Sequence, residues 1–225
     1  MLNREIFITR FSAWAPGINS GSEWNEWASN KREIASGSGS PGLSFTEPIF
    51  RRRLSQISKM TVQVVHDLLP INEDTKLFFL SFRGELSRQY QINRMLIEER
   101  SLMPAAFSLS VFNAPVALAS IAMGLKGGYS AVFPGNNSFA RGLDAAAAEL
   151  LCGTGKELVF IYADEQAPEE YRSLVQEPPP PLAFALLLSR DPCSPSVCLS
   201  SLEAKDSPLD FLKALILCGE IHVSP

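Results

Sequence analysis

Residues Ser130 to Asp164 constrain this chain more than any other stretch. A short apolar run ending in Val132-Phe133 meets Pro134-Gly135-Asn136-Asn137, which is dense in turn formers. From Ser138 onward Phe139, Leu143, Ala147 and Leu150 or Leu151 fall on one helical face. Ala145 to Ala148 favours helix and presents small side chains that let another backbone come close. Cys152-Gly153-Thr154-Gly155 stops the helix, and Leu158-Val159-Phe160-Ile161-Tyr162 reads as a buried strand. A strand that enters a helix through a sharp turn is where many α/β enzymes expose a nucleophile. Here the turn offers Asn136, Asn137, Ser138 and Phe139, and no cysteine.

The rest of the chain repeats the alternation of strand and helix. Strands are expected at Ile6–Phe11, Lys76–Phe82 and Leu182–Leu188, the last two apolar on consecutive residues, as for strands covered on both faces. Helices are expected from Pro48 to about Leu69, from Glu85 to about Glu99, from Val116 to Gly124 and from Asp210 to Gly219. The Val116–Gly124 helix is so apolar that it needs cover from another layer or another chain. Trp14, Trp24 and Trp27 read as packing anchors of an otherwise irregular segment. The pattern predicts an α/β, three-layer fold with a mainly parallel sheet and right-handed crossovers.

Composition excludes more than it selects. The chain has 225 residues, 46% hydrophobic and 20% charged, with a formal net charge of -4. That charge gives no reason to expect nucleic acid or an anionic membrane as partner, and no apolar run is long enough to span a bilayer. Four cysteines lack the paired spacing of a zinc site, and no secretory signal is visible, so free thiols in a reducing cytoplasm are expected. No GxGxxG follows the first strand, and Ser36–Gly42 lacks the order of a phosphate loop, so no cofactor is expected. Arg51-Arg52-Arg53 at the start of a helix oppose its dipole, and form either a solvated basic face or a patch for an acidic partner. His66 and Asp67 are adjacent on a helix and do not form a catalytic pair on that geometry.

Five segments together resemble the N-terminal half of the thiolase-fold β-ketoacyl synthases, in particular the short chain-length-factor-like proteins. They are Trp14-Ala15-Pro16-Gly17 with Trp24 and Trp27, Arg51-Arg52-Arg53-Leu54-Ser55, Ser110-Val111-Phe112-Asn113-Ala114-Pro115, Ser138 to Ala145, and Leu158 to Asp164. The likeness covers about residues 5–190. It implies a thiolase-like domain over 1–190, with 191–225 as a C-terminal extension whose short helix packs on the same domain. In active ketosynthases the elbow carries a cysteine, acidified by the helix N-terminus, that receives the acyl group. Matching Gly142-Leu143 to the family's glycine-leucine puts Phe139 at that position, and Asn136 is the other equivalent; neither can form a thioester.

The resemblance therefore implies a non-catalytic accessory, chain-length-factor-like subunit in polyene or fatty-acyl biosynthesis. Its expected partners are a β-ketoacyl synthase catalytic subunit, an acyl carrier protein indirectly, and, as an alternative cover for the exposed face, a second copy of itself. Phe107, Phe112, Phe133 and Phe139 are candidates for lining an acyl tunnel or interface, or else pack the core. Asn113 either caps a helix or contacts a partner. Two other readings stay open: an acyltransferase or hydrolase using Ser138, which needs His66 or His222 as base, and an interaction module outside acyl chemistry.

Overall fold

The computed structural model describes residues 5–35, 37, 39–101, 104–135, 138–172, 179–202 and 207–223. Its strands are β1 (Phe7–Trp14), β2 (Lys76–Leu80), β3 (Tyr129–Val132), β4 (Glu157–Asp164), β5 (Leu182–Ser189) and β6 (Val197–Cys198). Its helices are α1 (Gly21–Ala28), α2 (Pro48–Arg51), α3 (Gln56–Asp67), α4 (Leu86–Arg94), α5 (Pro104–Ser108), α6 (Ala114–Met123), α7 (Phe139–Cys152), α8 (Glu169–Arg172) and α9 (Pro208–Cys218). A π-helical turn, Met95–Glu99, continues α4.

Among the described residues the strands form one sheet in the order β3-β2-β4-β5-β1-β6. β2 pairs in parallel with β3 and β4, whereas β4 with β5, β5 with β1 and β1 with β6 pair antiparallel. The sheet is thus mixed: a parallel half carries β3, β2 and β4, and an antiparallel half carries the rest. The expected mainly parallel sheet holds only for the first half. Consecutive apolar residues report burial on both faces, and an antiparallel strand buried on both faces reads the same way.

Side-chain alternation sorts the core into two slabs. Phe78 and Leu80 of β2, Phe160 and Tyr162 of β4 and Phe184 of β5 meet α1, α7 and α9 on one face. Leu77 and Phe79, Val159 and Ile161, and Ala185 and Leu187 meet α3 and α6 on the other. β1 keeps the same rule only because its register slips between Ile8 and Arg10, so that Ile8 and Phe11 both face the first slab. Trp24 and Trp27 pack edge to face at 5.4 Å in that slab, and Trp14 lies against the other. The segment 191–225 supplies β6 and α9, whose Phe211, Leu212 and Leu215 are buried among β-sheet residues.

One expected helix is two. The Pro48–Leu69 pattern breaks after Arg51, and Ser55, in extended conformation, caps α3 by accepting from the Ser58 amide at 3.1 Å. The three arginines therefore do not head a long helix. Arg51 sits in the last turn of the one-turn α2, and Arg52 and Arg53 lie in the link that follows. Among the described residues no helix is long and apolar enough to cross a membrane.

Candidate functional site

The turn between β3 and α7 is the first place to look for chemistry. Ser138 is the N-cap of α7, its hydroxyl accepting from the Arg141 amide at 3.4 Å. Phe139 is the first helical residue and is fully buried. Its ring meets Phe160 and Tyr162 of β4 and Phe184 of β5, with centroids 5.8–5.9 Å away, and Phe211 of α9 at 5.2 Å. The helix N-terminus that would stabilise an anion thus ends on a ring with nothing to ionise, covered by α9. Asn136, the other candidate for this position, lies outside the described residues.

Gly142 explains how α7 comes so close to the sheet. A Cβ there would run into both methyl groups of Leu80 on β2. The matched glycine is thus a packing requirement, one turn beyond Phe139.

Where β2 and β4 end, a polar hub holds the helix starts in place. Asp164 is buried and accepts from the hydroxyls of Ser81 (2.7 Å) and Tyr162 (2.9 Å) and from the amides of Phe82 and Arg83. Glu165, also buried, accepts from the amide of Ile57 in α3 and that of Ser87 in α4, so one carboxylate serves two helix N-termini. Glu85 takes the hydroxyls of Ser55 (2.7 Å) and Ser58 (2.6 Å). Its second oxygen, Oε2, makes no hydrogen bond and lies 3.4 Å from Nε of Arg88. Burial pushes all three carboxyls above their ordinary range, Glu165 to about 7. The sequence flagged the Asp-Glu turn but not this role. The nearest signal was Ser55-x-x-Ser58, a capping spacing that the continuous apolar stripe disguised.

The remaining candidates spread along one rim. Among the described residues β3 is an edge strand with only β2 beside it, and it carries the exposed Tyr129 and leads to Phe133, which is 55% exposed. Next to it α6 shows Ile121, 71% exposed, and the approach to α6 shows Phe107 and Val111. Phe112 instead turns inward, edge-on to Phe79 at 6.0 Å and above Gly84, whose φ of +56° and 2.6 Å clearance leave no room for a side chain. Asn113 does not cap α6; its amide donates to the Tyr129 hydroxyl at 3.1 Å, tying α6 to β3. Of the three arginines, Arg51 is occupied with the carbonyls of Leu43 and Thr46, while Arg52 and Arg53 are exposed. Two residues of this run are thus exposed and one is partly buried.

His66 gives Ser138 no base. His66 sits on α3, across the sheet from α7, stacked on Phe45 at 3.5 Å. It does meet Asp67, with Nδ1 3.0 Å from Oδ1, contrary to the expectation from helical spacing. His222 is exposed next to Val223, which bridges to β1. Among the described residues no three of His, Cys, Asp and Glu cluster as metal ligands.

A family model described as "Beta-ketoacyl synthase, N-terminal domain" matches residues 24–211. A comparison with curated proteins finds no match. Among solved structures, the chain is similar to one in the complex of the ketosynthase ApeO with its chain length factor ApeC from Xenorhabdus doucetiae. The TM-score is 0.77 and the identity 27%, over 94% of this chain and 91% of that one. The ishigamide ketosynthase/chain length factor matches with TM-score 0.65 and 15% identity, over 83% of this chain and 62% of the other. A β-ketoacyl synthase from Burkholderia phymatum STM815 matches with TM-score 0.60 and 12% identity, over 82% and 59%. This chain thus nearly equals the first in length and spans about three fifths of the other two.

Proposed function

The chain belongs to the β-ketoacyl synthase N-terminal domain family, and we propose that within it this protein is a non-catalytic, chain-length-factor-like partner of a separate β-ketoacyl synthase. The observation that carries the reading is Phe139: the start of α7 holds a fully buried aromatic ring, and the family resemblance makes it, or Asn136, the counterpart of a condensing enzyme's acyl-accepting thiol. Carbon–carbon bond formation then takes place in the partner, and this chain contributes shape.

The β3–α6 rim is the proposed docking face. An edge strand with unpaired backbone groups, flanked by Ile121, Tyr129 and Phe133, is a surface that a monomer leaves uncovered at a cost in solubility. The resemblance to a chain of the ApeO–ApeC complex supports a ketosynthase as the molecule that covers it. Phe107 and Phe133 are the exposed rings that would border an acyl chain held at such an interface, with Phe112 as the fixed ring behind them. The substrate class is an acyl chain growing on a carrier protein, and the carrier meets this subunit only through the complex.

The test is co-expression with a ketosynthase, followed by light scattering and acyl labelling from a loaded carrier protein. A one-to-one complex labelled only on the ketosynthase is expected, and Ile121→Asp with Phe133→Asp should dissociate it. A stable acyl adduct on this chain, or a complex indifferent to both substitutions, would refute the reading; a homodimer that excludes the ketosynthase would replace it.

A further inference from the structure

A second feature is lined by residues of neither the elbow nor the β3 edge strand. Between α2, α4, α5 and α6 opens a cleft of about 700 Å³, in the range of small-molecule sites. Its walls include Ile49, Leu109 and Leu118, with Ile49 67% exposed. Its other lining side chains include three guanidinium groups, those of Arg52, Arg53 and Arg88. No carboxylate lines it among the described residues.

The charge there is not spent internally. Neither the Arg52 nor the Arg53 guanidinium makes a hydrogen bond or ion pair among the described residues. Arg88 is held in place: one Nη2 bond of 2.8 Å goes to the Arg53 carbonyl, and Nε faces Glu85 at 3.4 Å. Glu85 is already engaged by two serine hydroxyls and cannot neutralise three cations. A chain of net charge -4 therefore gathers three arginines on a mostly apolar cleft, two of them without an internal partner among the described residues. Guanidinium forks recognise carboxylate and phosphate oxygens in pairs, and the apolar lining suits hydrocarbon.

We propose that this cleft binds an anionic amphiphile, an unbranched apolar chain ending in a carboxylate or a phosphate, with its head on Arg52, Arg53 and Arg88 and its tail along Ile49, Leu109 and Leu118. The site borders the docking face at α5 and α6, and its test needs neither a ketosynthase nor the β3 edge.

Isothermal titration calorimetry on the full chain, below the micelle threshold of each ligand, tests it with decanoate, decyl phosphate and the uncharged decanol. Saturable one-site binding is expected for the two anions, with decanol weaker by about tenfold or more, the factor that charge-assisted bonds supply. The tighter of the two anions identifies the head group. Arg52→Glu with Arg53→Glu should cost about tenfold or more, and Leu118→Trp, which fills the cleft, should abolish binding. The arginine pair is solvent-exposed, so circular dichroism should show an unchanged fold, and Arg141→Glu, on the exposed face of α7, should leave binding intact. Absence of saturable binding, equal affinity for decanol and decanoate, or binding indifferent to the arginine pair would overturn the proposal.

Discussion

Restoring a thiol to the elbow tests the central argument directly. Phe139→Cys places sulfur at the first residue of α7, where a helix N-terminus favours the thiolate. If the elbow were an intact active site missing only its nucleophile, the variant would accept acyl groups. The structure says otherwise, because the position is sealed by Phe160, Tyr162, Phe184 and Phe211. Truncating a fully buried phenylalanine to alanine costs about 3–5 kcal/mol, and retaining one sulfur lowers that to about 2–4 kcal/mol. In a chain of this size the melting temperature should then fall on the order of 10 °C. The loss is large against a typical stability of about 5–15 kcal/mol, but leaves a folded protein to assay. Urea unfolding gives the first number, and peptide mass spectrometry after incubation with an acyl-loaded carrier or iodoacetamide gives the second. Cys152, Cys193 and Cys218 are exposed and serve as internal controls for alkylation. The expected result is destabilisation, alkylation of those three, and an unmodified residue 139. A loss below about 1 kcal/mol, or a native-state acyl or carbamidomethyl group on position 139, would refute the reasoning.

Gly142→Ala should destabilise by about 1–3 kcal/mol in spite of alanine's helix propensity, since the added methyl is driven into Leu80; urea midpoints measure it. Ser55→Ala removes both the α3 cap and a hydroxyl from the buried Glu85 carboxylate, and should cost about 2 kcal/mol or more. Asn113→Ala, by the same assay, should cost under about 0.5 kcal/mol, because its exposed bond to Tyr129 is all that is lost. Glu165, held up to about 7 by burial, keeps a proton in the folded state that the unfolded chain releases near its ordinary pKa of 4.5. Stability should therefore fall as pH rises from about 4.5 through 7, by up to about 3 kcal/mol, and Glu165→Gln should flatten that slope between pH 5 and 7.5 whatever it does to the midpoint.

What could be read from the chain was what short-range pattern encodes. The apolar runs at Phe78–Leu80, Leu158–Tyr162 and Leu182–Leu188 announce strands covered on both faces, and the helix after Ser138 has its cap, stripe and stop in the letters themselves. Strand direction was not written there: β5 and β4 are equally apolar, and only the path between them reverses the chain. The Pro48–Leu69 stripe looked unbroken because Leu54 and Ile57 are both buried, although the backbone leaves the helix before Ser55. The candidate site divides the same way. A missing cysteine is legible at once. That Phe139 would be covered by Phe211, or that Glu165 would join α3 to α4, depends on residues far apart in sequence, and no local pattern reports such meetings. Arg51 shows the converse, three identical letters with different fates once Leu43 and Thr46 are placed beside the first.

The position of β1 bears on how this molecule comes into being. Its hydrogen-bonding neighbours on both sides, β5 and β6, lie far downstream of it in the sequence. β1 is therefore made well before the strands it pairs with, and it must wait as an unpaired apolar strand until they are synthesised. Synthesis with slowed elongation over residues 182–198 would lengthen that interval, and a holding chaperone would have its longest engagement with residues 6–15.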